Sequence, residues 1–332
     1  MASGVATPGS PDEFSLDSPP GDGISSVEFA KASDLLLVSS WDATLRLYDA
    51  RANVQRHVFP QKAAVLDCAF GESDTCAWCG GLDASVAAVD LERGVPLPSL
   101  GAHTKPVRAL EWAHAFGLLF SGSWDGTVGA WDPRNPTPHV ASLPMPAKVF
   151  TMSMTDTRLV VGTAERHVLI YDVRKLSEPE QRRQSKLMHQ TRCIRTFPTF
   201  NGYALTSIEG RVAIEYFEKS HESQAYAFKC HRVGNTVFPV NALAFHPTYG
   251  TFATGGCDGL VNIWDGGNKK RLCQLKPYPT SIASLSFNHD GSLLAVASSY
   301  TFEEGEKDHP KDEVVIHPVF DHEVKPKPKV AA

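Results

Sequence analysis

One pattern recurs seven times along the chain and constrains its fold more than any other feature. A typical copy has a pair of small residues, a turn with an acidic residue and a β-rich run, and four of the copies end in an aromatic residue followed by Asp. Six copies are continuous: SSWDATLRLYD at 39–49, GGLDASVAAVD at 80–90, GSWDGTVGAWD at 122–132, GTAERHVLIYD at 162–172, SIEGRVAIEYF at 207–217 and GGCDGLVNIWD at 255–265. In the seventh, an acidic insertion separates LAVASSY at 294–300 from EVVIHPV at 313–319. We therefore expect one array of similar sheets rather than two unrelated domains.

The spacing of the copies predicts an all-β fold, a seven-bladed β-propeller of the WD-repeat type. The aromatic position is held in turn by Tyr48, Val89, Trp131, Tyr171, Tyr216, Trp264 and His317. These residues are 41, 42, 40, 45, 48 and 53 positions apart. The first three steps fit a WD-repeat blade of about 40–45 residues, and the longer steps place insertions in the second half of the chain.

Other segments predict how the blades are completed and how the ring closes. A second β run, such as VRALEW at 107–112, precedes each copy and is expected to form the inner strand of its blade. The last sheet needs a strand to cover its edge, and EFSLDS at 13–18 is the N-terminal strand expected to close the ring. The expected organisation is a disordered N-terminus at 1–12, a propeller at 13–320 and a disordered Lys/Pro tail at 321–332.

Composition narrows the classes of function. The net charge of −5 is too small to imply general attraction to nucleic acid or to a membrane surface. No apolar run reaches the ~18 residues of a membrane span, and the first residues lack the basic and apolar regions of a secretory signal. Seven cysteines, an odd number, favour a reducing compartment. We therefore expect a nuclear or cytosolic protein with no direct contact to nucleic acid or membrane.

No pattern indicates catalysis, a metal or a cofactor. Cys76 and Cys79 form a CxxC in TCAWCG, but a strand directs residues three apart to opposite faces. The thirteen histidines lack metal-binding spacing, and no Ser lies in a nucleophile elbow. The expected protein is a scaffold and not an enzyme.

The repeats resemble the WD-repeat family, in which four residues of a blade form a structural tetrad. A His before the inner strand, a Ser, the turn Asp and the Trp are joined by hydrogen bonds in that family. His103, Ser121, Asp125 and Trp131 of the third copy match this set best. Where Trp is replaced, the resemblance implies that the strands alone maintain the blade.

Cations are concentrated in one part of the chain. Residues 173–234 contain eleven Lys/Arg and six Asp/Glu. Arg182, Arg183 and Lys186 are expected to lie in solvated loops. Propeller topology places Arg166, Arg211, Arg192, Lys229 and Arg232 on one face, because the turns between second and third strands and the connections between blades open there. We call this the top face.

Two tryptophans are expected on the same face. Trp41 and Trp124 each precede the turn acid of their repeat, and neither holds the aromatic core position. Large aromatic residues in exposed turns are frequent anchors for partners. Together with the cations they predict a site for an extended acidic or phosphorylated peptide.

Several strings resemble one WD-repeat family closely. LLVSSWD, QTRCIRTFP, SIEGRVAIEYF, YAFKCHR and YPTSIASLSF are similar to the spindle-checkpoint family named budding uninhibited by benzimidazoles three, with a likeness over residues 13–320. The related WD-repeat mRNA-export family shares SIEGRVAI and KCHR, whereas SSWDATLRLYD and KKRLCQL favour the checkpoint family. The second copy, GLDASVAAVD, departs from both.

The resemblance implies an adaptor with two peptide sites on the top face. Trp41, Trp124, Arg192 and Arg211 would bind a short Glu-Glu-containing segment of the checkpoint kinase and of its pseudokinase relative. Arg211, Lys229 and Arg232 would bind phosphothreonine in Met-Glu-Leu-Thr repeats of an outer-kinetochore scaffold. Which cation contacts phosphate and which contacts glutamate stays open.

The same resemblance implies a cellular role. The protein would recruit checkpoint kinases to unattached kinetochores, with the inhibitor assembly of the anaphase-promoting complex as a further partner. It would be found in the nucleus, at kinetochores in mitosis and partly in the cytoplasm. The alternatives are an mRNA-export adaptor that binds a nucleoporin at the nuclear pore, and a ubiquitin-ligase substrate receptor.

Overall fold

A computed structural model describes residues 12–328, which form seven four-stranded antiparallel sheets, the blades. Strands are labelled a to d from the centre outward. Blades one to three consist of Ile24–Phe29, Leu35–Ser40, Thr44–Asp49, Val54–Pro60; Val65–Phe70, Cys76–Gly81, Ser85–Asp90, Val95–Ala102; and Val107–Ala113, Leu118–Ser123, Thr127–Trp131, His139–Pro144. Blades four to six consist of Val149–Met154, Arg158–Thr163, His167–Asp172, Gln181–Gln184; Thr191–Thr196, Gly202–Ser207, Arg211–Tyr216, Tyr226–Lys229; and Val240–Phe245, Phe252–Gly256, Val261–Asp265, Lys270–Gln274.

Blade seven is built from both ends of the described chain. Its strands a to d are Ile282–Phe287, Leu293–Ser298, Glu313–Pro318 and Phe14–Ser15. The remaining elements are a hairpin of Arg232–Val233 with Thr236–Val237, the 3₁₀ turns Ala164–Arg166 and Lys219–Gln224, and the α-helix Asp321–Val324. The predicted seven-bladed propeller is thus confirmed. No helix of the described residues is long and apolar enough to cross a membrane.

The core lies between the blades rather than inside one layer. Seven clusters of buried apolar side chains each join two neighbouring blades. Phe120 of blade three, for example, shares a cluster with Met152 of blade four. Strands b are covered on both faces, so almost every residue in them is buried. Strands d are more polar, so Arg182 and Arg183, expected in a solvated loop, instead belong to strand d of blade four.

The N-terminal strand completes blade seven. Phe14 is paired with Ile316 and Ser15 with Val315, and the amide of Leu16 donates to the carbonyl of Val314 at 2.8 Å. The strand is shorter than the predicted run at 13–18. Beyond it, the Ser18 carbonyl accepts a hydrogen bond from the Tyr48 hydroxyl at 2.7 Å, which links the segment to blade one.

The C-terminal segment differs from the expected disordered tail. Helix Asp321–Val324 packs on blade six, where the Thr251 hydroxyl donates to the Val324 carbonyl at 2.7 Å. Val324 is only 1% exposed, and Asn268 donates to the Lys327 carbonyl at 3.0 Å. The prediction was therefore wrong for residues 321–328, because one buried Val anchors a segment that is otherwise polar. The expectations for residues 1–11 and 329–332 lie outside the described residues.

The aromatic position of blade five is held by Glu215, and the assignment of Tyr216 was wrong by one residue. Tyr48 is the fifth residue after Ala43, the residue with positive φ in the turn of blade one. In blade five the turn residue with positive φ is Gly210, so the fifth residue beyond it is Glu215. Tyr216 was taken for the core position because the turn at Gly210 has neither the Trp nor the Asp of the clearer copies.

The residue at this position in blade seven, His317, connects both termini to the ring. Its Nδ1 lies 3.7 Å from the Glu13 carboxylate and its Nε2 lies 3.1 Å from the Glu323 carboxylate. Burial lowers the pKa of His317, but the hydrogen bond to Glu323 and the attraction of the Glu13 and Glu323 carboxylates outweigh this effect and raise the pKa to about 9. The imidazole is therefore charged at neutral pH and joins the N-terminal strand, blade seven and the C-terminal helix.

We expect this cluster to make stability fall as the pH rises above neutrality. The folded pKa of about 9 exceeds the ordinary histidine pKa of about 6.5, so the stabilisation is complete below pH 6.5 and is lost as the pH approaches 9. The free energy of unfolding should decrease by about 2 kcal/mol between about pH 6 and pH 8 relative to His317→Gln, which cannot be protonated. Urea titrations of both proteins measure this difference. Parallel pH curves would contradict the charged state of His317.

Candidate functional site

A repeated irregularity in strand a places side chains around the top opening of the central channel. In each blade the pairing of strands a and b shifts register after the first residue of strand a. Such a bulge redirects the following side chain. The second residues of strands a line the channel or the adjoining top-face pocket, and they are Ser25, Leu66, Arg108, Phe150, Arg192, Asn241 and Ala283. Two guanidinium groups therefore belong to this ring.

One side of the opening continues into a pocket of about 500 Å³, here called the Trp41 pocket. Trp41 directly follows strand b of blade one and is 47% exposed. Phe302, from the insertion in blade seven, is 55% exposed and lines the same pocket with Arg108 and Arg192. The pocket thus combines exposed aromatic surface with two cations, as suits a peptide that carries both apolar and acidic groups.

Trp124 has a different environment from Trp41, although both follow strand b of their blade. Its ring is only partly exposed, and its indole nitrogen is buried without a hydrogen-bond partner among the described residues. Trp124 is not among the residues that line the Trp41 pocket. Of the two tryptophans, the structure places Trp41 in the lining of the pocket that contains Arg108 and Arg192.

The cations of blade five lie in a row across the top of the blade. Thr191, Ser207, Arg211 and Lys229 are successive partners in strands a, b, c and d, and Arg192 is next to Thr191. With strands about 4.8 Å apart, the row spans about 14 Å. Arg211, expected in the turn, is the first residue of strand c. Arg211 and Lys229 are direct cross-strand neighbours of like charge, an arrangement that destabilises a sheet.

Glu209 lies among the outer cations. The Arg232 guanidinium donates to the Glu209 carbonyl, and the Arg211 guanidinium lies 3.9 Å from its carboxylate. The Glu209 carboxylate also accepts a hydrogen bond from the amide of Met188 at 2.9 Å. Arg211 and Arg232 are thus held near each other by one residue, while Lys229 stays exposed.

At the inner end of the row, Arg192 is paired within the chain. Its guanidinium lies 3.5 Å from the carboxylate of Glu303, in the insertion of blade seven. Glu303 also accepts a hydrogen bond from Thr301, and Asn241 contacts Thr301 at 3.4 Å. A carboxylate of this chain thus forms an ion pair with Arg192, one of the cations expected to bind an acidic partner.

Arg108 was not identified from the sequence, although it lines both the channel and the Trp41 pocket. It lies outside the segment in which cations are concentrated. The signal that could have found it is its position, because Arg108 and Arg192 are both second residues of a strand a. Arg166, proposed for the top face, lies in the turn between strands b and c of blade four, and its guanidinium donates to the Ser185 and Leu187 carbonyls at 3.4 and 3.2 Å.

The opposite end of the channel contains carboxyl groups. Glu28 and Glu111 line a cavity of about 290 Å³ there. Burial and the nearby carboxylates of Glu111 and Asp67 raise the pKa of Glu28 to about 8, and burial raises that of Glu111 to about 7. With this pKa the Glu28 carboxyl is mostly protonated at neutral pH, and the Arg195 guanidinium lies 4.0 Å from Glu111, so this end of the channel carries little net negative charge.

Two blades contain a complete tetrad. In blade three, His103 contacts Asp125 at 3.1 Å and Ser121 at 2.7 Å, and the Trp131 indole donates to Ser121 at 2.7 Å.

The second tetrad, in blade six, was not identified from the sequence. His231 contacts Asp258 at 2.9 Å and Thr254 at 2.9 Å, and the Trp264 indole donates to Thr254 at 2.9 Å. Thr replaces Ser, and the hairpin at 232–237 separates His231 from the rest of its blade. The His of YAFKCHR is therefore structural, and it fixes the adjacent Arg232.

The cysteine pair does not form a metal site. Cys79 packs in the cluster between blades one and two, whereas Cys76 packs in the one between blades two and three. The predicted divergence of the two thiols is confirmed. Burial also raises the pKa of the Cys79 thiol to about 12. Across residues 12–328 no group of three or more His, Cys, Asp or Glu side chains could hold a metal ion.

Comparisons with known proteins place the chain in a family. Residues 62–231 match the model described as Nucleolar protein 10-like, N-terminal domain, and residues 14–49 and 223–265 match WD domain, G-beta repeat. The chain is 53% identical to Mitotic checkpoint protein BUB3.1 of Arabidopsis thaliana over 95% of both chains. It is 47% identical to Mitotic checkpoint protein bub3 of Dictyostelium discoideum over 94% of this chain and 96% of that one.

The chain belongs to the BUB3 mitotic checkpoint family of WD-repeat proteins. The resemblance seen in the sequence is thereby confirmed, and the protein is a spindle-checkpoint WD-repeat protein. BUB3 proteins are more similar to it than Poly(A)+ RNA export protein of Schizosaccharomyces pombe, which is 34% identical over 94% of this chain and 92% of that one. The fold is also that of the solved structure entitled Structure of U3-55K, with a TM-score of 0.80 at 16% identity over 93% and 98% of the two chains.

Proposed function

We propose that this chain is a spindle-assembly-checkpoint adaptor that binds a Glu-Glu-containing segment of checkpoint kinases on its top face. The observation that carries the proposal is the row of cations across blade five, whose inner end lies beside the Trp41 pocket. An extended peptide of about four residues matches the length of the row at about 3.4 Å per residue. Its glutamates would contact the cations, and an apolar side chain would enter the pocket.

The Arg192–Glu303 pair supports this orientation. It shows a carboxylate at the place that we assign to a partner glutamate. The partner would either replace Glu303 or bind beside it through Arg108, which lines the same pocket. We place Trp41, Arg192 and Arg211 in contact with the kinase segment, with Trp124 at its margin.

The outer end of the row is proposed to bind the second ligand, phosphothreonine of Met-Glu-Leu-Thr repeats on the outer-kinetochore scaffold. Arg211, Lys229 and Arg232 meet there, and Glu209 alone is too little negative charge for three cations. The adaptor would thus bring checkpoint kinases to unattached kinetochores and take part in inhibition of the anaphase-promoting complex. The proposal includes a nuclear, kinetochore and partly cytoplasmic location.

Trp41→Ala tests the proposed kinase site. The substitution should weaken binding of a Glu-Glu-containing kinase peptide by about 2 kcal/mol, roughly 30-fold, because a half-exposed indole would become a buried anchor. Leu82 occupies the same turn position in blade two and is 38% exposed, so Leu82→Ala is the matched control. Calorimetry with both variants measures the difference.

Two outcomes would count against the kinase site. If Trp41→Ala and Leu82→Ala bind the peptide alike, the Trp41 pocket is not the anchor. If Trp41→Ala unfolds at a much lower temperature, the ring is structural and the assignment of the pocket fails.

The second candidate function is mRNA export through a nucleoporin. The 34% identity to Poly(A)+ RNA export protein over nearly the whole chain favours it. Affinity capture from mitotic cells distinguishes the two functions. If the chain captures checkpoint kinases and Trp41→Ala does not, the checkpoint-adaptor function is supported. If the chain captures nucleoporins but no checkpoint kinases, the mRNA-export function is supported.

A further inference from the structure

The insertion of blade seven lies on the top face, beside the site proposed for the kinase segment. The connection between strands b and c spans residues 299–312 in blade seven but only residues 41–43 in blade one. Phe302 of the insertion lines the Trp41 pocket, and the Glu303 carboxylate lies 3.5 Å from the Arg192 guanidinium. The insertion therefore brings an aromatic ring and a carboxylate of this chain to the place assigned to a partner.

The sequence of this segment is similar to the kind of ligand that the site is proposed to bind. Residues 302–304 are a Phe followed by two consecutive glutamates. Glu303 contacts Arg192, and its side chain is only 18% exposed. Glu304 forms an ion pair with Lys307 of the insertion itself. The segment thus presents an apolar ring and one of its two glutamates to the same groups that a Glu-Glu-containing peptide would contact.

The contact between Glu303 and Arg192 leaves part of the guanidinium unused. It joins one carboxylate oxygen to one terminal nitrogen of Arg192 at 3.5 Å. The Arg192 Nε–H is buried and has no hydrogen-bond partner among the described residues. Carboxylates often pair with guanidinium groups through two parallel hydrogen bonds, which are stronger than a single long contact. A glutamate with better geometry would therefore bind Arg192 more strongly than Glu303 does.

The backbone of the segment is strained. Phe302 has a φ of 60°, in the left-handed region that is unfavourable for a bulky side chain. The turn is held by the Gly305 amide, which donates to the Phe302 carbonyl at 3.2 Å, and by the Tyr300 hydroxyl, which donates to the Gly305 carbonyl at 2.8 Å. Release of the segment would relieve this strain, so its displacement costs less than that of a relaxed turn.

We propose that residues 302–304 are an internal competitor of the kinase segment, and that a glutamate of the kinase segment displaces Glu303 from Arg192. This inference rests on the proposed function. The competitor lowers the apparent affinity of every ligand that needs Arg192, in proportion to the fraction of molecules in which Arg192 is free. Acidic segments that make few other contacts are thereby excluded from the top face.

Calorimetry with the full chain and a Glu-Glu-containing kinase peptide tests the competitor. Glu303→Gln keeps the size of the side chain and removes its charge. It should bind the peptide about 5-fold more tightly, the upper end of what a partly exposed ion pair contributes. Glu304→Gln is the matched control, because it removes the same charge one residue further along from a carboxylate that pairs with Lys307. The control should change the affinity by less than about 2-fold.

The outcomes separate this proposal from the kinase site itself. If Glu303→Gln binds the peptide as tightly as the unsubstituted chain or more weakly, Glu303 is not a competitor, although the kinase site stands. An equal gain in Glu304→Gln would show a general charge effect and would also overturn the competitor. If neither the unsubstituted chain nor Glu303→Gln binds the peptide, the kinase site fails together with the competitor.

Hydrogen exchange of the unsubstituted chain gives a second test that does not depend on the folding of any variant. The Glu304 and Gly305 amides donate to the Tyr300 hydroxyl and the Phe302 carbonyl in the free protein. With saturating kinase peptide these amides should exchange at least about 3-fold faster, because displacement of the segment breaks both hydrogen bonds. Unchanged or slower exchange would show that the insertion stays in place when the peptide binds, and would overturn the proposal.

Discussion

A Met-Glu-Leu-Thr peptide is expected to bind this protein roughly 100-fold more tightly when its Thr is phosphorylated. Phosphorylation adds about 1.5–2 negative charges and three strong acceptor oxygens. Arg211, Lys229 and Arg232 meet at the outer end of the row on blade five. Two charge-assisted hydrogen bonds of about 1.5 kcal/mol each would account for the preference. The affinity should also fall as salt is raised, since exposed charges are screened over about 10 Å at 0.1 M ionic strength.

Single substitutions identify the cations that contact the phosphate. Arg211→Ala, Lys229→Ala and Arg232→Ala are compared by calorimetry with Lys270→Ala, which removes the same charge from an exposed strand d in blade six. Each of the first three substitutions should weaken binding of the phosphorylated peptide by about 10-fold. Binding of the unphosphorylated peptide should change little. If phosphorylation makes no difference, or if all four variants behave alike, the outer end of the row is not a phosphate site.

Deletion of residues 1–20 should have the largest effect on stability. It removes strand d of blade seven, the buried Leu16 and the Ser18 carbonyl that accepts the Tyr48 hydroxyl. Loss of one buried Leu costs about 3–5 kcal/mol, and strand c of blade seven becomes an exposed edge. At about 2–4 °C per kcal/mol the melting temperature should fall by roughly 10 °C, with aggregation on heating.

The control for this experiment is deletion of residues 1–12 alone, which keeps every one of these contacts. Thermal unfolding of the two shortened proteins is compared with that of the full chain by circular dichroism. A melting curve for the longer deletion that overlays the control would show that Phe14–Ser15 contributes nothing to closure of the ring.

The number and kind of blades could be predicted because they depend on local patterns. A β-rich run, a turn acid and a residue with positive φ lie within a dozen positions of each other. Gly126 and Gly259, the glycines of the two Asp-Gly turns, have φ of 80° and 70° as such turns require. Where the turn residues were atypical, as near Gly210, the same reasoning placed the core position on Tyr216 rather than Glu215.

Functional residues could be assigned to the top face for a related reason. Propeller topology alone directs the turns after strands b and the connections after strands d to one side. Trp41, Lys229 and Arg232 follow from that rule. The grouping of these residues does not follow from the rule, because it depends on the register of the four strands, which sets the residues that lie side by side.

The sequence by itself thus determined the seven-bladed propeller, its top face and the tetrad of blade three, since each depends on a pattern within a single repeat. Only the tertiary structure decided that Arg108 lines the same pocket as Arg192, that Glu303 returns from blade seven to pair with Arg192, and that Glu215 lines a pocket between blades four and five. These contacts join residues of different blades. Register, bulges and the packing of one blade against the next determine them, and local periodicity does not specify any of these.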